Sequence, residues 1–262
     1  MVYDVDGYYK SIVYGFDGIA KNLVYDVSGN AISLIPFFDS AVISNVFTSS
    51  ITSQPQGGCI DDDGNVYVCF YDAGKFLKHN IGTGTDTEVS FAPNAYGHAN
   101  GMTYNPNTGY LYLASINNTG EVYVFDTTFN LVDTLYARDS NGNIITCYNI
   151  AYDRKRRRFI SMSSGYMKFY DDNYDFVKQE TYNVSDWQET GQDIETDGTF
   201  VYEMAYNPNK IVAFDMKGNA VKQISCTNFS GEPESMCYDW INDVYYIEGK
   251  STYYVIKSVV FM

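Results

Sequence analysis

Apolar and polar positions alternate along this chain in short bursts. Runs such as "NVYVCF" (65–70), "YLYLAS" (110–115), "EVYVF" (121–125) and "KIVAF" (210–214) put every second side chain on one face, and Asp, Asn and Gly separate them. Such alternation, ended by turn residues, predicts half-buried strands. No segment holds a helical apolar stripe for three turns, so helices are expected to be scarce.

The bursts also repeat. Segments 57–91, 100–136, 149–182, 192–225 and 234–262 each give a short strand, a turn on Asp, Asn or Gly, an alternating strand, a second break, and a strand such as "VYVFD" or "KIVAFD". Segment 2–37 reads the same way, with "KNLVYDVSGNAI" matching "KIVAFDMKGNAV" almost position for position. Short strands of this kind cannot bury a face alone, and four-stranded blades packed radially solve that problem. The expectation is an all-β fold, a six-bladed β-propeller with four-stranded antiparallel blades, forming one domain over 1–262. Its blades fall approximately at 1–47, 54–93, 98–138, 147–184, 191–226 and 231–262. The last unit shows three clear strands, which places ring closure near the termini.

Composition narrows the partners. The chain has 17 Lys plus Arg against 32 Asp plus Glu, a net charge of −15, and such a field repels phosphate backbones. No nucleic-acid partner is expected. No run approaches a membrane span, so no membrane insertion is expected. The opening "MVYDVDGYYK" lacks a basic stretch followed by an apolar one, so this chain shows no signal peptide and a place in a virion or the cytoplasm is expected. Cys59, Cys69, Cys147, Cys226 and Cys237 show no paired spacing and sit mostly in apolar runs, so they read as small buried side chains.

In a propeller the innermost strands line a central tunnel, and the loops between blades crowd one face of the ring. The entrances of the inner strands hold Gln56, Asn100, Asn149, Gln192, Asp193, Glu232 and Glu234, while nearby loops carry Tyr96, His98, Tyr148, Tyr166, Trp187, Tyr206 and Phe229. Flat aromatic rings stack on sugar faces and Asn, Gln and Glu pair with hydroxyls, so this inventory suits carbohydrate contact. The candidate ligand-binding residues are Tyr96, His98, Asn100, Tyr148, Asn149, Trp187, Gln192, Phe229 and Glu234. No catalytic residue is assigned: the chain holds only His79 and His98 and lacks G-x-S-x-G, H-E-x-x-H and P-loop patterns.

The stretch "ANGMTYNPNTGYLYLAS" resembles the "PNG…LYVAD" blade of the gluconolactonase and regucalcin group of calcium-dependent six-bladed propellers, and is similar to NHL repeats. That resemblance implies a divalent cation, Ca²⁺, at the tunnel mouth, polarising a lactone carbonyl. Carried over residue by residue it implies metal ligands at Asn100, Asn149, Asp193 and Glu234; with no metal, the two asparagines instead satisfy buried backbone groups. "QGGCIDDDGNVYVCFYDAGKFLKHNIGTG" and "GQDIETDGTFVYEM" resemble propeller domains of phage tail or receptor-binding proteins and of helveticin-like proteins. This implies a non-enzymatic binding or assembly module that recognises a cell-surface glycan or a protein, with other virion proteins as partners and without a cofactor. It is the main expectation; the metal-dependent lactonase is the alternative.

Two further signals have plain local explanations beside functional ones. "DRKRRRF" (153–159) concentrates five basic side chains in a strand-joining turn, which reads either as a solvated turn or as a dock for an acidic partner. "IDDDGNVY" (60–67) resembles a piece of a calcium loop, but a tight hairpin needs Asp-Gly in any case, and turn chemistry is the reading adopted.

Overall fold

The computed structural model describes residues 2–3, 9–14, 20–25, 31–34, 41–116, 120–182, 190–207, 209–226, 232–249 and 252–258. Contacts divide the chain into two units, Met1–Val42 with Lys257–Met262, and Ile43–Ile256. The first unit holds one antiparallel sheet of β1 (Val2–Tyr3), β2 (Tyr9–Tyr14), β3 (Ala20–Tyr25) and β4 (Ala31–Leu34), in that order. The second takes in all but the first two residues of β5 (Ala41–Thr48), and four consecutive sheets follow, each a meander in chain order. They are β6 (Gly58–Ile60), β7 (Asn65–Phe70), β8 (Lys75–Asn80) and β9 (Thr85–Ser90); then β10 (Ala99–Asn105), β11 (Tyr110–Ser115), β12 (Glu121–Phe125) and β13 (Leu131–Tyr136). Next come β14 (Ala151–Asp153), β15 (Arg158–Ser163), β16 (Tyr166–Tyr170) and β17 (Phe176–Thr181), and β18 (Thr190–Thr196), β19 (Val201–Tyr206), β20 (Lys210–Phe214) and β21 (Ala220–Ser225). The last sheet runs β22 (Ser235–Asp239), β23 (Val244–Gly249), β24 (Thr252–Ser258), and is completed by β5. Among the described residues there is no helix.

Within the second unit the sheets close into a propeller. The innermost strands β6, β10, β14, β18 and β22 adjoin in turn, and β22 returns against β6. The ring therefore closes on five sheets, which corrects the expectation of six blades. The physical reason is the partner of β24: its open edge is taken by β5, which completes the fifth sheet, and β22 lies directly against β6. Five inner strands leave a narrow axis, and β10 approaches β18 and β22 as well as its neighbours.

The alternation explains the packing. Strands β7, β11, β15 and β23 are buried along almost their whole length because each is covered on both faces by adjacent blades, whereas outer strands β9, β13 and β17 are largely exposed. Cys59, Tyr67, Phe76, Leu113 and Phe125 form one inter-blade layer, and Tyr112, Val124, Ile150 and Phe159 form the next. All five cysteines are buried free thiols, as their apolar settings predict.

Recurrent aspartates shape the turns between third and fourth strands. Oδ1 of Asp126 accepts the backbone N–H groups of Thr128 and Asn130 at 2.8 and 2.9 Å, and Asp171 and Asp215 repeat the arrangement. The fourth residue of each turn, Phe129, Tyr174 or Gly218, is left-handed, with φ of 65°, 67° and 84°. An aromatic residue pays a steric cost there that is offset by packing: Phe129 stacks on Phe76 of the preceding blade at 4.6 Å, and Tyr174 stacks on Tyr170. The "IDDDGNVY" hairpin follows turn chemistry too, since Asp61 accepts from the N–H groups of Asp63 and Asn65 and from the Tyr67 hydroxyl.

The basic turn is largely consumed within the ring. Arg154 crosses from its blade to ion-pair with Asp62, and its guanidinium lies 5.4 Å from the Trp240 ring and 5.8 Å from that of Tyr104. Arg156 and Arg158 hold the fully buried Asp153 at 3.0 and 3.1 Å, and Arg157 pairs with Asp172 at 2.6 Å.

Candidate functional site

Residues at the entrances of the inner strands are aimed inward by irregularities in the ladders. The β10–β11 register slips between Ala99 and Gly101, and the β18–β19 register slips between Gly191 and Asp193, so Asn100 and Gln192 are the extra residues of two β-bulges. Gln56 and Gly57 do the same beside β7: Gln56 donates its N–H to Cys69 O, and Gly57 O accepts from Cys69 N–H at 3.0 Å. A bulge re-aims a side chain that regular pleating would have sent between blades. Gly57 has φ of 134°, open to glycine alone in practice.

The side chains so placed join one hydrogen-bonded network. The Asn100 amide donates to Gln192 O at 2.6 Å across the ring, and the Gln192 amide donates to Glu232 at 2.8 Å. Gln54 bridges Glu232 and Glu234, and the Gln56 amide donates to Glu234 Oε2 at 2.7 Å. His98 Nε2 meets Gln56 Oε1 at 2.5 Å, which calls for the Nε2–H tautomer because the Gln56 nitrogen already faces Glu234. The His98 ring stacks on Tyr71 at 4.5 Å, and burial holds its pKa below the ordinary histidine value.

Acidity in this network is displaced upward. Glu234 is 4% exposed, and burial, reinforced by the Glu232 charge, pushes its carboxyl up to about 7 against the lowering effect of the two glutamine amides. Deeper in the tunnel Asp193 is wholly buried and its pKa stands well above the carboxylate range for the same reason, although Ile194 N–H and Met236 N–H donate to it at 2.8 and 3.3 Å. Glu195 follows on the same face of β18, with its carboxyl pushed up to about 8 by burial.

Of the nine residues singled out in the sequence, His98, Asn100, Gln192 and Glu234 are united by this network. Asn149 lies just below, its Oδ1 accepting from Met162 N–H at 2.8 Å, the backbone-satisfying role. Tyr96 instead packs among Phe76, Phe91, Tyr123 and Phe125 between two blades, and Tyr148 stands 39% exposed to solvent. Trp187 and Phe229 lie outside the described residues. Sequence reading missed Gln54, although "SQPQ" alternates it with Gln56, and Glu195, although two-residue spacing puts it on the Asp193 face.

Three of the four residues implied as metal ligands have their side-chain oxygens already engaged. Both Asp193 oxygens accept N–H groups, Asn149 Oδ1 is taken by Met162, and both Glu234 oxygens accept amides. Among the described residues no group of three or more His, Cys, Asp or Glu is arranged to hold a metal ion. As packed, the oxygens of Asn149, Asp193 and Glu234 serve protein hydrogen bonds.

No family model and no curated protein matches the chain. Solved structures do. A glutaminyl cyclase of Myxococcus xanthus is 11% identical, with a TM-score of 0.67 over 86% of this chain and 99% of that one. A luciferin-regenerating enzyme is 8% identical, with a TM-score of 0.56 over 83% and 96%. Regucalcin of Agrobacterium tumefaciens, a calcium-binding protein, is 8% identical, with a TM-score of 0.56 over 84% and 94%. The likeness is one of fold. No helix among the described residues is long and apolar enough to cross a membrane.

Glycine is required where the network meets the tunnel. A Cβ on Gly101 would stand 2.6 Å from Asp193 Oδ1 and 3.0 Å from the Asn149 Cα, the second being backbone with no room to yield. Gly101→Ala is expected to cost about 1–3 kcal/mol, as other overpacked cores do, read as a lower midpoint in chemical denaturation.

Proposed function

We propose that the mouth of the ring is an acid–base site for acyl transfer on a small polar substrate, with Glu234 as the proton carrier. The observation that carries this reading is a buried carboxyl, gripped by Gln54 and Gln56, whose pKa of about 7 lets it give and take a proton near neutrality. In lactone hydrolysis, ionised Glu234 takes a proton from water as its oxygen bonds to the carbonyl carbon. The same carboxyl then returns that proton to the ring oxygen as the C–O bond breaks, so atoms and charge balance. The glutaminyl cyclase and the luciferin-regenerating enzyme on the same fold lend support to an enzymatic reading. The test is turnover of a panel of lactones and of peptides beginning with glutamine. Glu234→Gln, which keeps the shape and loses the proton, is expected to lower kcat about a hundredfold, and the native kcat should follow one ionisation near neutral pH. Unchanged kcat in that variant overturns the assignment.

A second reading is favoured by the rings on the loop-bearing face. Tyr148, Tyr166 and Tyr206 are 39%, 40% and 37% exposed, beyond what core packing uses. They would serve a recognition module for a cell-surface glycan or a protein partner, in a phage tail or a bacterial surface assembly. Tyr148→Ala is then expected to weaken adhesion to bacterial cell walls by about tenfold, as loss of an aromatic anchor does at other interfaces. Calcium belongs with the lactonase alternative, and a rise in unfolding temperature on adding it to metal-stripped protein would bring it back.

A further inference from the structure

A groove of about 520 Å³ opens beside the third blade, between the 139–146 loop and the β15–β16 hairpin. Its size suits a small organic ligand. It is open and mixed in character: Tyr166 and Ile144 present apolar surface at 40% and 44% exposure, while Asn141, Thr146, Ser164 and Gln179 add polar groups. Its loop is held in shape before any ligand arrives. Asp139 N–H donates to Asn143 O, Ile145 N–H donates to Ala137 O, and Arg138 pairs with Ile144.

Lys168 is the unusual member. It lines the groove, is 6% exposed, and has no carboxylate among the described residues within ion-pairing distance. Its ammonium donates to Ser163 O at 3.2 Å and to Ser163 Oγ at 2.7 Å, which leaves one of its donors unused. A buried cation without a counter-charge is costly and is stabilised by any anion that reaches it. Burial depresses its pKa accordingly.

Asp139 shares the groove and offers it an acceptor. Its carboxylate accepts from Asn141 N–H at 2.8 Å and from Asn143 N–H at 2.9 Å, and the Asn143 side-chain amide leads the interactions that hold its pKa below the usual value. Its negative charge accepts hydroxyl donors. Lys168 Nζ stands 5.9 Å from the centre of the Tyr166 ring, so a flat-faced ligand on the tyrosine has a cation beside it.

We infer that this groove is a binding site for a sugar acid, with the pyranose face on Tyr166, the carboxylate at Lys168 and ring hydroxyls turned to Asp139. The inference rests on the recognition reading of this face, to which it adds a ligand class, and is independent of Glu234.

Calorimetric titration of the full chain with glucuronate, and separately with glucose, tests it. Saturable binding of glucuronate is expected, with glucose weaker by about tenfold because it lacks the charged hydrogen bond. Lys168→Met should bring glucuronate down to the level of glucose. Should that variant lose its cooperative melt, Ser164→Asp, an exposed change at the rim, is expected to weaken glucuronate by a similar factor with the fold intact. Absence of saturation, equal binding of glucose, or native binding in a folded variant overturns the inference. Wall adhesion that Tyr148→Ala weakens, in a protein that does not bind glucuronate, overturns this site while leaving the recognition reading standing.

Discussion

Raising the pH from about 4.5 to about 9 is expected to lower the unfolding midpoint, and Glu195→Gln is expected to remove much of the fall. Glu195 lies in the tunnel at 5% exposure, and burial carries its carboxyl up to about 8 despite the Thr196 N–H at 2.8 Å and the Arg154 charge. In the unfolded chain the same group titrates near its ordinary value of about 4.3. Between those two pH values the folded protein holds a proton that the unfolded chain has released, so stability decreases as pH rises. The contribution is complete below the unfolded value and lost once the pH passes the folded one. At about 1.4 kcal/mol per pH unit, Glu195 alone contributes on the order of 4 kcal/mol across the window. Glu234 and Asp193 act in the same direction, since both are raised. Glutamine keeps the carbonyl that accepts from Thr196 and has no proton to lose, so the variant should gain stability mainly on the alkaline side. A net charge of −15 also disfavours the compact state at high pH, but that repulsion changes little on removing one charge, so the difference between the two proteins isolates the tunnel. A variant whose pH profile runs parallel to the native one would show that Glu195 is ionised throughout.

The second large effect is expected at the opposite end of the inner strands. Asp153→Ala should cost about 3–5 kcal/mol, measured by denaturant titration, because it strands a guanidinium rather than merely deleting a bond. Asp153 is wholly buried and accepts from Arg156 N–H, Arg156 Nη1 and Arg158 Nε at 3.0–3.2 Å. Arg158 has little recourse to water: its side chain is 15% exposed, its guanidinium lies 4.2 Å from the Phe169 ring and donates to Met216 Sδ at 3.2 Å. Replacing Arg157, 66% exposed and ion-paired with Asp172 at the surface, should cost far less. Equal losses at the two sites would mean that the turn acts through its net charge and not through the buried pair.

The strands were legible in the sequence because two-residue alternation is a local property; "NVYVCF" and "YLYLAS", read as half-buried, are strands buried on both faces because adjacent blades cover them. The number of blades was not, because the repeat in 2–37 has the same period as the others. Closure depends on a pairing between strands some two hundred residues apart, β5 with β24, which no periodicity encodes. The site was half legible. Asn100 and Gln192 were found through their place before inner strands, but the bulges that turn them inward register only as an adjoining glycine. Lys168 could not be read at all: "MKFYD" looks like an ordinary alternating strand, and only the third dimension shows that its lysine is buried with no carboxylate among the described residues paired to it.

The seam between β5 and β24 also fixes an order of events during synthesis. A chain made from its N-terminus produces β5 (Ala41–Thr48) some two hundred residues before β24 (Thr252–Ser258). Throughout the interval the nascent protein carries one strand whose partner does not yet exist, and an unpaired strand is a template for the wrong neighbour. The blades between can mature as they emerge, since each is a meander of adjacent strands. The ring as a whole waits for β24 to emerge, and the blade edge that β5 supplies is made long before it is satisfied.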